Sequence, residues 1–118
     1  MRPHRNLDAW NEALGLVTEV YRVTDHFPRS ERHVLVDQMR RAAVSIPSNI
    51  AEGAARGSSR DFKRFVQIAR GSVSELDTQL EISRRLGYLE TQTESELIQR
   101  MDHIERLLRG LVRHLETT

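Results

Sequence analysis

Apolar residues in this chain recur at steps of three and four, the spacing that lines one face of an α-helix, and they do so in four stretches. The first stripe is Leu7, Trp10, Leu14, Val17, Tyr21. Asn6 stands before it as a helix N-cap with Asp8 in the first turn, and the helix is expected to end near His26-Phe27-Pro28. The second is expected to start at Ser30, with Glu31 in its first turn and a seam of Leu35, Met39, Ala42, Ile46, Asn49, Gly53. Gly57 closes it. The third opens on the capping signal Ser58-Ser59-Arg60-Asp61 and carries Phe62, Phe65, Val66, Ala69, Ser72, Val73, Leu76, Leu80. Gly87 stops it, and Tyr88 can pack back as the apolar partner of a Schellman cap. The fourth starts at the capping box Thr93-x-x-Glu96 and continues as Leu97, Met101, Ile104, Leu108, Leu111, Leu115.

Three short connections force neighbouring helices antiparallel. The pattern therefore predicts an all-α fold, an antiparallel up-down-up-down four-helix bundle, in one domain over residues 1–118. Val20, Val23, Val36, Ile68, Ile82, Ile98, Leu107 and Val112 lie off the seams. They either widen the core faces or form a second surface for self-association.

One run breaks the simple pattern: Ser45-Ile46-Pro47-Ser48-Asn49-Ile50-Ala51-Glu52-Gly53. Proline in a helix interior costs about 3 kcal/mol, and a buried asparagine without partners ~1–3 kcal/mol. The spacing nevertheless passes straight through Pro47, which predicts one second helix kinked near Pro47. A second odd run is Gly71-Ser72-Val73-Ser74-Glu75-Leu76, where Gly71 in mid-helix suggests close approach of another backbone. With the turn pivoting near Gly57, Asn49 comes level with Phe65 and Ala42 with Ser72. At 1.5 Å per residue that leaves Asn49 and Ser72 ~10 Å apart, so the two clusters should not touch within one chain. Glu75 is expected to pair with Arg40 or Arg41. The candidate polar network is Arg40, Arg41, Ser45, Asn49, Glu52, Ser72 and Glu75, a structural network at a kink or an assembly surface.

Composition narrows the chemistry. There is no cysteine, hence no disulfide, thiolate metal site or cysteine nucleophile, which fits a reducing cytoplasm. No apolar stretch is long enough to span a membrane, and the basic opening Met1-Arg2-Pro3-His4-Arg5-Asn6 lacks the apolar segment of a signal peptide. The five histidines are scattered and none forms Glu-x-x-His, so no metal site is expected. No cofactor, catalytic triad or small-molecule substrate is indicated. Net charge is only +1, but 17 of the 18 basic side chains are arginine. That bias fits either a GC-rich genome or bidentate phosphate contacts. The basic residues concentrate locally at Arg56, Arg60, Lys63, Arg64 and Arg70, against Asp61 alone. These five form the candidate nucleic-acid surface.

The nine-residue run, with Asp61-Phe62, Ile68-Ala69-Arg70-Gly71-Ser72, Glu75-Leu76 and Leu86-Gly87-Tyr88-Leu89, resembles the bacterial "four helix bundle protein" family. Its members are also called 23S rRNA intervening-sequence proteins. Leu7-Asp8-Ala9-Trp10 and Phe27-Pro28-x-x-Glu31 match too, so the resemblance covers nearly the whole chain. It implies a small cytoplasmic protein that assembles as a homopentamer. A related branch, the accessory proteins of diversity-generating retroelements, binds nucleic acid and a reverse transcriptase through a basic surface.

Three functions follow. The first is a non-catalytic assembly and RNA-binding accessory protein. The second is a protein-interaction module with no nucleic-acid role. The third and most remote is a HEPN-type ribonuclease, from the Arg-x4-His spacing of Arg109 and His114.

Overall fold

The computed structural model describes residues 2–117; Met1 and Thr118 lie outside it. Four helices follow in order: α1 (Asp8–Thr24), α2 (Leu35–Ala54), α3 (Ser59–Arg85) and α4 (Thr91–Glu116), with single 3-10 turns at Pro3–Asn6 and Arg29–Glu31. Each helix packs on two neighbours in the cycle α1–α2–α3–α4–α1, and no diagonal pair meets among the described residues. Arg40 of α2 bonds Thr24 of α1, Ser45 of α2 meets Ser72 of α3, and Lys63 of α3 pairs with Glu116 of α4. Every adjacent pair is thus antiparallel, as the sequence predicts. No helix is long and apolar enough to cross a membrane.

The turns explain the topology. Ser58 caps α3, its hydroxyl accepting the Asp61 N–H at 3.2 Å. At the far end Gly87 takes φ 80°, and the Tyr88 N–H donates to the Ser83 carbonyl at 2.9 Å while the Gly87 N–H donates to Arg84. That is the Schellman pattern. The Tyr88 ring lies 5.3 Å from that of Phe27, and its hydroxyl donates to Glu31 at 2.8 Å. One residue therefore ties the α1–α2 connection to the α3–α4 turn.

Three starts differ from expectation. Asn6 ends a 3-10 turn and Leu7 occupies the N-cap of α1 without a side-chain bond. Instead the Asn11 amide donates to the carbonyls of Arg5 and Leu7. Helix α2 begins at Leu35 rather than Ser30, because residues 28–34 bury nothing; Phe27 and Leu35 anchor the two sides of that polar loop. Helix α4 begins at Thr91, since the chain leaves the Schellman turn extended at Glu90 and can coil at once. Thr93 does not cap it.

The core of α1 is also a different stripe. Ala9, Ala13, Leu16, Val20 and Val23 are buried, whereas Leu14 and Tyr21 remain 38% and 44% exposed. Both stripes have helical spacing, and the two alanines let α1 settle close to its neighbours. In α2 the seam holds except that Ile50, with Ala43 and Pro47, is buried while Asn49 is half-buried; α3 adds Gln79 and Ser83 and leaves Phe62 half-buried; in α4 Val112 is buried while Leu111 and Leu115 are half-buried. Helix α2 runs unbroken through Pro47; the expected kink there is not confirmed. Of the off-seam apolar residues, Val20, Val23, Val36 and Val112 join the core, while Ile68, Ile82 and Ile98 stay exposed.

Gly53, at the end of the nine-residue run, has a steric role. A β-carbon on it would lie 2.7 Å from Cβ of Phe65 and 3.2 Å from the carbonyl of Phe62. Only glycine lets α2 and α3 close this tightly just before their turn.

Candidate nucleic-acid interface

The N-terminus of α1, the α2–α3 turn and the C-terminus of α4 share one end of the bundle, as the 2.9 Å ion pair between Lys63 and Glu116 attests. Segments 2–8, 52–64 and 109–117 at this end hold eight Arg and Lys against four Asp and Glu. At the opposite end, segments 22–37 and 81–96 hold five against seven. A net charge of +1 thus conceals a molecule polarised along its 46 Å axis.

The five candidate cations divide by what holds them. Arg56 and Arg64 place their guanidinium groups over the Phe65 ring, at 4.9 and 4.6 Å from its centroid. Phe65 lies one residue past Arg64, and Arg56 reaches it across the turn. Sequence spacing gave no sign of this stack. A stacked guanidinium keeps its N–H edge for a carboxylate or phosphate. Arg56 uses that edge on Glu52 at 3.3 Å, whereas Arg64 has no carboxylate partner among the described residues. Arg60 is exposed and has none either. Lys63 is paired with Glu116, and Arg70 is held by Glu105 at 2.8 Å and Gln67 at 3.0 Å. Arg70 also sits two turns of α3 from Arg64, toward the middle of the bundle. The surface is therefore smaller than its sequence outline, with Arg60 and Arg64 its uncompensated part.

The polar residues do not form one network. Ser45, Asn49 and Ser72 come together: the two hydroxyls are 2.9 Å apart, and the Asn49 amide donates to the Ser45 hydroxyl and carbonyl at 2.9 and 2.8 Å. Arg40, Arg41, Glu52 and Glu75 lie outside this cluster. Arg40 covers Tyr21 at 4.4 Å and bonds Thr24, Arg41 pairs with Asp37, and Glu52 pairs with Arg56. Glu75 is exposed and takes only a 3.5 Å contact from the Gln79 amide. The expected ion pair of Glu75 with Arg40 or Arg41 is absent among the described residues. So is the expected separation of the Asn49 and Ser72 clusters. Glu75 faces solvent, so neither arginine meets it; the error in separation has a geometric cause. Each Cβ leans toward the N-terminus of its own helix, so residues that touch across an antiparallel pair lie further along both chains than residues at equal height. Ser72 consequently meets Ser45 instead of Ala42.

Arg109 and His114 do not converge. Five residues along a helix turn the chain by about 500°, leaving the two about 140° apart around the axis. Both are exposed, and neither side chain bonds another described residue. No three His, Asp or Glu side chains are grouped to hold a metal ion among the described residues.

Comparison with known proteins decides the family. The sequence model described as 23S rRNA-intervening sequence protein matches residues 5–110. The chain belongs to that family. The match to this intervening-sequence family begins at the first 3-10 turn and stops within α4, so it takes in the turns, Gly53 and the Ser45–Asn49–Ser72 cluster. A crystal structure of a protein of unknown function from the S23 ribosomal protein family of Bacteroides thetaiotaomicron has the same fold, with a TM-score of 0.82. It is 21% identical, and the alignment covers 89% of this chain and 95% of that one. No curated protein matches.

Proposed function

We propose that this chain is a non-catalytic, self-assembling accessory protein that binds RNA through the basic end of its bundle. The observation that carries this reading is the charge polarity of the molecule, with Arg60 and Arg64 uncompensated beside the α2–α3 turn. The family's description, which ties it to sequences intervening in 23S rRNA, supplies the class of polyanion. A cytoplasmic homopentamer, as the family resemblance implies, would bring five basic ends onto one face and multiply their field. A reverse transcriptase remains a partner by the same analogy. No aromatic side chain stands free among these cations, so contact is to phosphates and not by stacking on bases.

The test is an RNA mobility-shift titration at low salt, comparing wild type with Arg60→Glu/Arg64→Glu. Wild type should shift the RNA, and the double variant should lose most of that affinity while keeping its helical content and melting temperature. An unchanged affinity in the variant, or no salt-dependent shift by wild type, refutes the reading. A second reading, assembly without nucleic acid, draws on the pairing of Arg56, Lys63 and Arg70 with Glu52, Glu116 and Glu105. Under it the wild type assembles but shifts nothing.

A further inference from the structure

Helix α4 carries cations beyond those beside the α2–α3 turn. From Arg106 to Arg113 it holds three arginines, Arg106, Arg109 and Arg113, and no carboxylate. All three are exposed, and none has a hydrogen-bond or ion-pair partner among the described residues. At 3.6 residues per turn they fall within about 60° of one another around the axis, so they form one stripe. The carboxylates that could neutralise it are engaged elsewhere. Glu105 holds Arg70 of α3 at 2.8 Å, and Glu116 holds Lys63 of α3 at 2.9 Å. The three arginines lie between these two cross-helix ion pairs, on the side of α4 next to α3. Asp102, one turn before Arg106, forms no ion pair among the described residues.

Within one chain the stripe is unfavourable. Arg106 and Arg109 stand at i, i+3, and Arg109 and Arg113 at i, i+4, where like charges destabilise a helix. The helix dipole favours cations in the last turn, which holds Arg113 but neither Arg106 nor Arg109. Gly110 lies on the same face, between Arg106 and Arg113. Glycine is a poor helix former, and nothing lies within 4 Å of where its β-carbon would be. It serves no packing within the chain, and it leaves the α4 backbone bare at the centre of the stripe, where another backbone can come close.

A strand of phosphates matches this surface in charge and in length. Arg106 and Arg113 are about 10 Å apart along the axis, at 1.5 Å per residue. Phosphates on a stacked strand advance by about 3.4 Å each, so the stripe spans about three of them. It also joins the basic end: Arg113 is one turn from Glu116, whose partner Lys63 is one turn of α3 from Arg60. Ile98 is the sole exposed large apolar side chain of α4 among the described residues, and it lies two turns before Arg106. The stripe therefore lacks the apolar centre of a protein interface and offers charge alone.

We infer that the outer face of α4 is a phosphate-binding track for single-stranded RNA. A strand held at the basic end continues along Arg113, Arg109 and Arg106, with its backbone against Gly110. The inference rests on RNA binding in the proposed function and extends it from the end of the bundle to its side.

An oligouridylate of about 16 nucleotides, titrated by mobility shift at several salt concentrations, tests it. Arg106→Gln/Arg109→Gln/Arg113→Gln should bind several-fold more weakly than wild type. Its slope of log affinity against log salt should be shallower by about 2, the loss of three phosphate contacts. Glutamine suits a helix as well as arginine does, so the melting temperature should hold or rise. The same three positions changed to lysine should keep the wild-type slope, because a phosphate contact needs the charge. Arg29→Gln/Arg32→Gln/Arg85→Gln removes equal charge from the opposite end and should leave the slope unchanged. Equal losses in the two glutamine variants would mean that net charge alone acts, and would overturn the track. A wild-type slope in Arg106→Gln/Arg109→Gln/Arg113→Gln overturns it too; where Arg60→Glu/Arg64→Glu still loses affinity, the basic end then stands without the track. A wild type that shifts no RNA overturns the track and the RNA reading together.

Discussion

Gly110 sits in the interior of α4 and Gly53 in the last turn of α2, and the same substitution should act on them with opposite sign. Replacing a helical glycine by alanine gains up to about 1 kcal/mol from backbone entropy and propensity. At Gly110 nothing lies within 4 Å of the new methyl group, so Gly110→Ala should realise that gain. For a domain of this size it corresponds to a rise of about 3–6 °C in melting temperature. At Gly53 the methyl would meet Cβ of Phe65 at 2.7 Å, Cδ1 of Phe62 at 3.0 Å and the Phe62 carbonyl at 3.2 Å. The first and last of these belong to the α3 backbone and its root, which cannot swing aside as a flexible side chain can. Overpacking of this kind costs about 1–3 kcal/mol. Gly53→Ala is therefore expected to be destabilised by up to about 2 kcal/mol after the propensity gain, and to fall about 1–3 kcal/mol below Gly110→Ala. Thermal and urea unfolding followed by circular dichroism, at one protein concentration, measures the difference. If Gly53→Ala gains stability to the same degree as Gly110→Ala, then α2 and α3 do not approach as described and the steric account of Gly53 is wrong.

Three further outcomes follow from local chemistry. Glu81, bonded first by Arg84 and then by Arg85, is held down to about 2 from an ordinary 4.5. Its contribution to stability is complete above pH 4.5 and lost as pH falls toward 2; NMR titration should place its carboxyl midpoint near 2, and Arg84→Ala with Arg85→Ala should return it toward 4.5. The Tyr88 phenol is raised above 10 because its hydroxyl donates to the Glu31 carboxylate. Glu31→Gln should lower that value in a spectrophotometric titration, and Tyr88→Phe should cost about 0.5–1.5 kcal/mol in unfolding, the range of one hydrogen bond. Gln79 is buried and its carbonyl oxygen has no partner among the described residues, so Gln79→Met should leave the melting temperature unchanged or raise it; a clear loss would mean that the oxygen has a partner.

Local signals in the sequence were legible where a single turn decides the outcome. Ser58 caps α3 and Gly87 ends it with Tyr88 folding back, each by a bond between near neighbours in the chain. The apolar spacing gave four antiparallel helices and carried α2 through Pro47. What spacing could not decide was a choice between equals. Helix α1 has two stripes of the same period, and only packing selects the one with Ala9 and Ala13. The starts at Asn6, Ser30 and Thr93 were plausible caps overruled by where Phe27 and Leu35 are buried and where the Schellman turn releases the chain. The register of α2 on α3 needed the lean of side chains as well as the rise per residue. The basic segment from Arg56 to Arg70 reads as unopposed in sequence because its counter-charges, Glu105 and Glu116, arrive from α4.

The central claim is that phosphates bind the basic end of the bundle, so the slope of log affinity against log salt for single-stranded RNA tests it most directly. Engagement of at least two phosphates predicts a slope of about −1.4 or steeper for the wild type, and a slope shallower by about 1.4 for Arg60→Glu/Arg64→Glu. A flat dependence, or equal slopes in the two proteins, would contradict it.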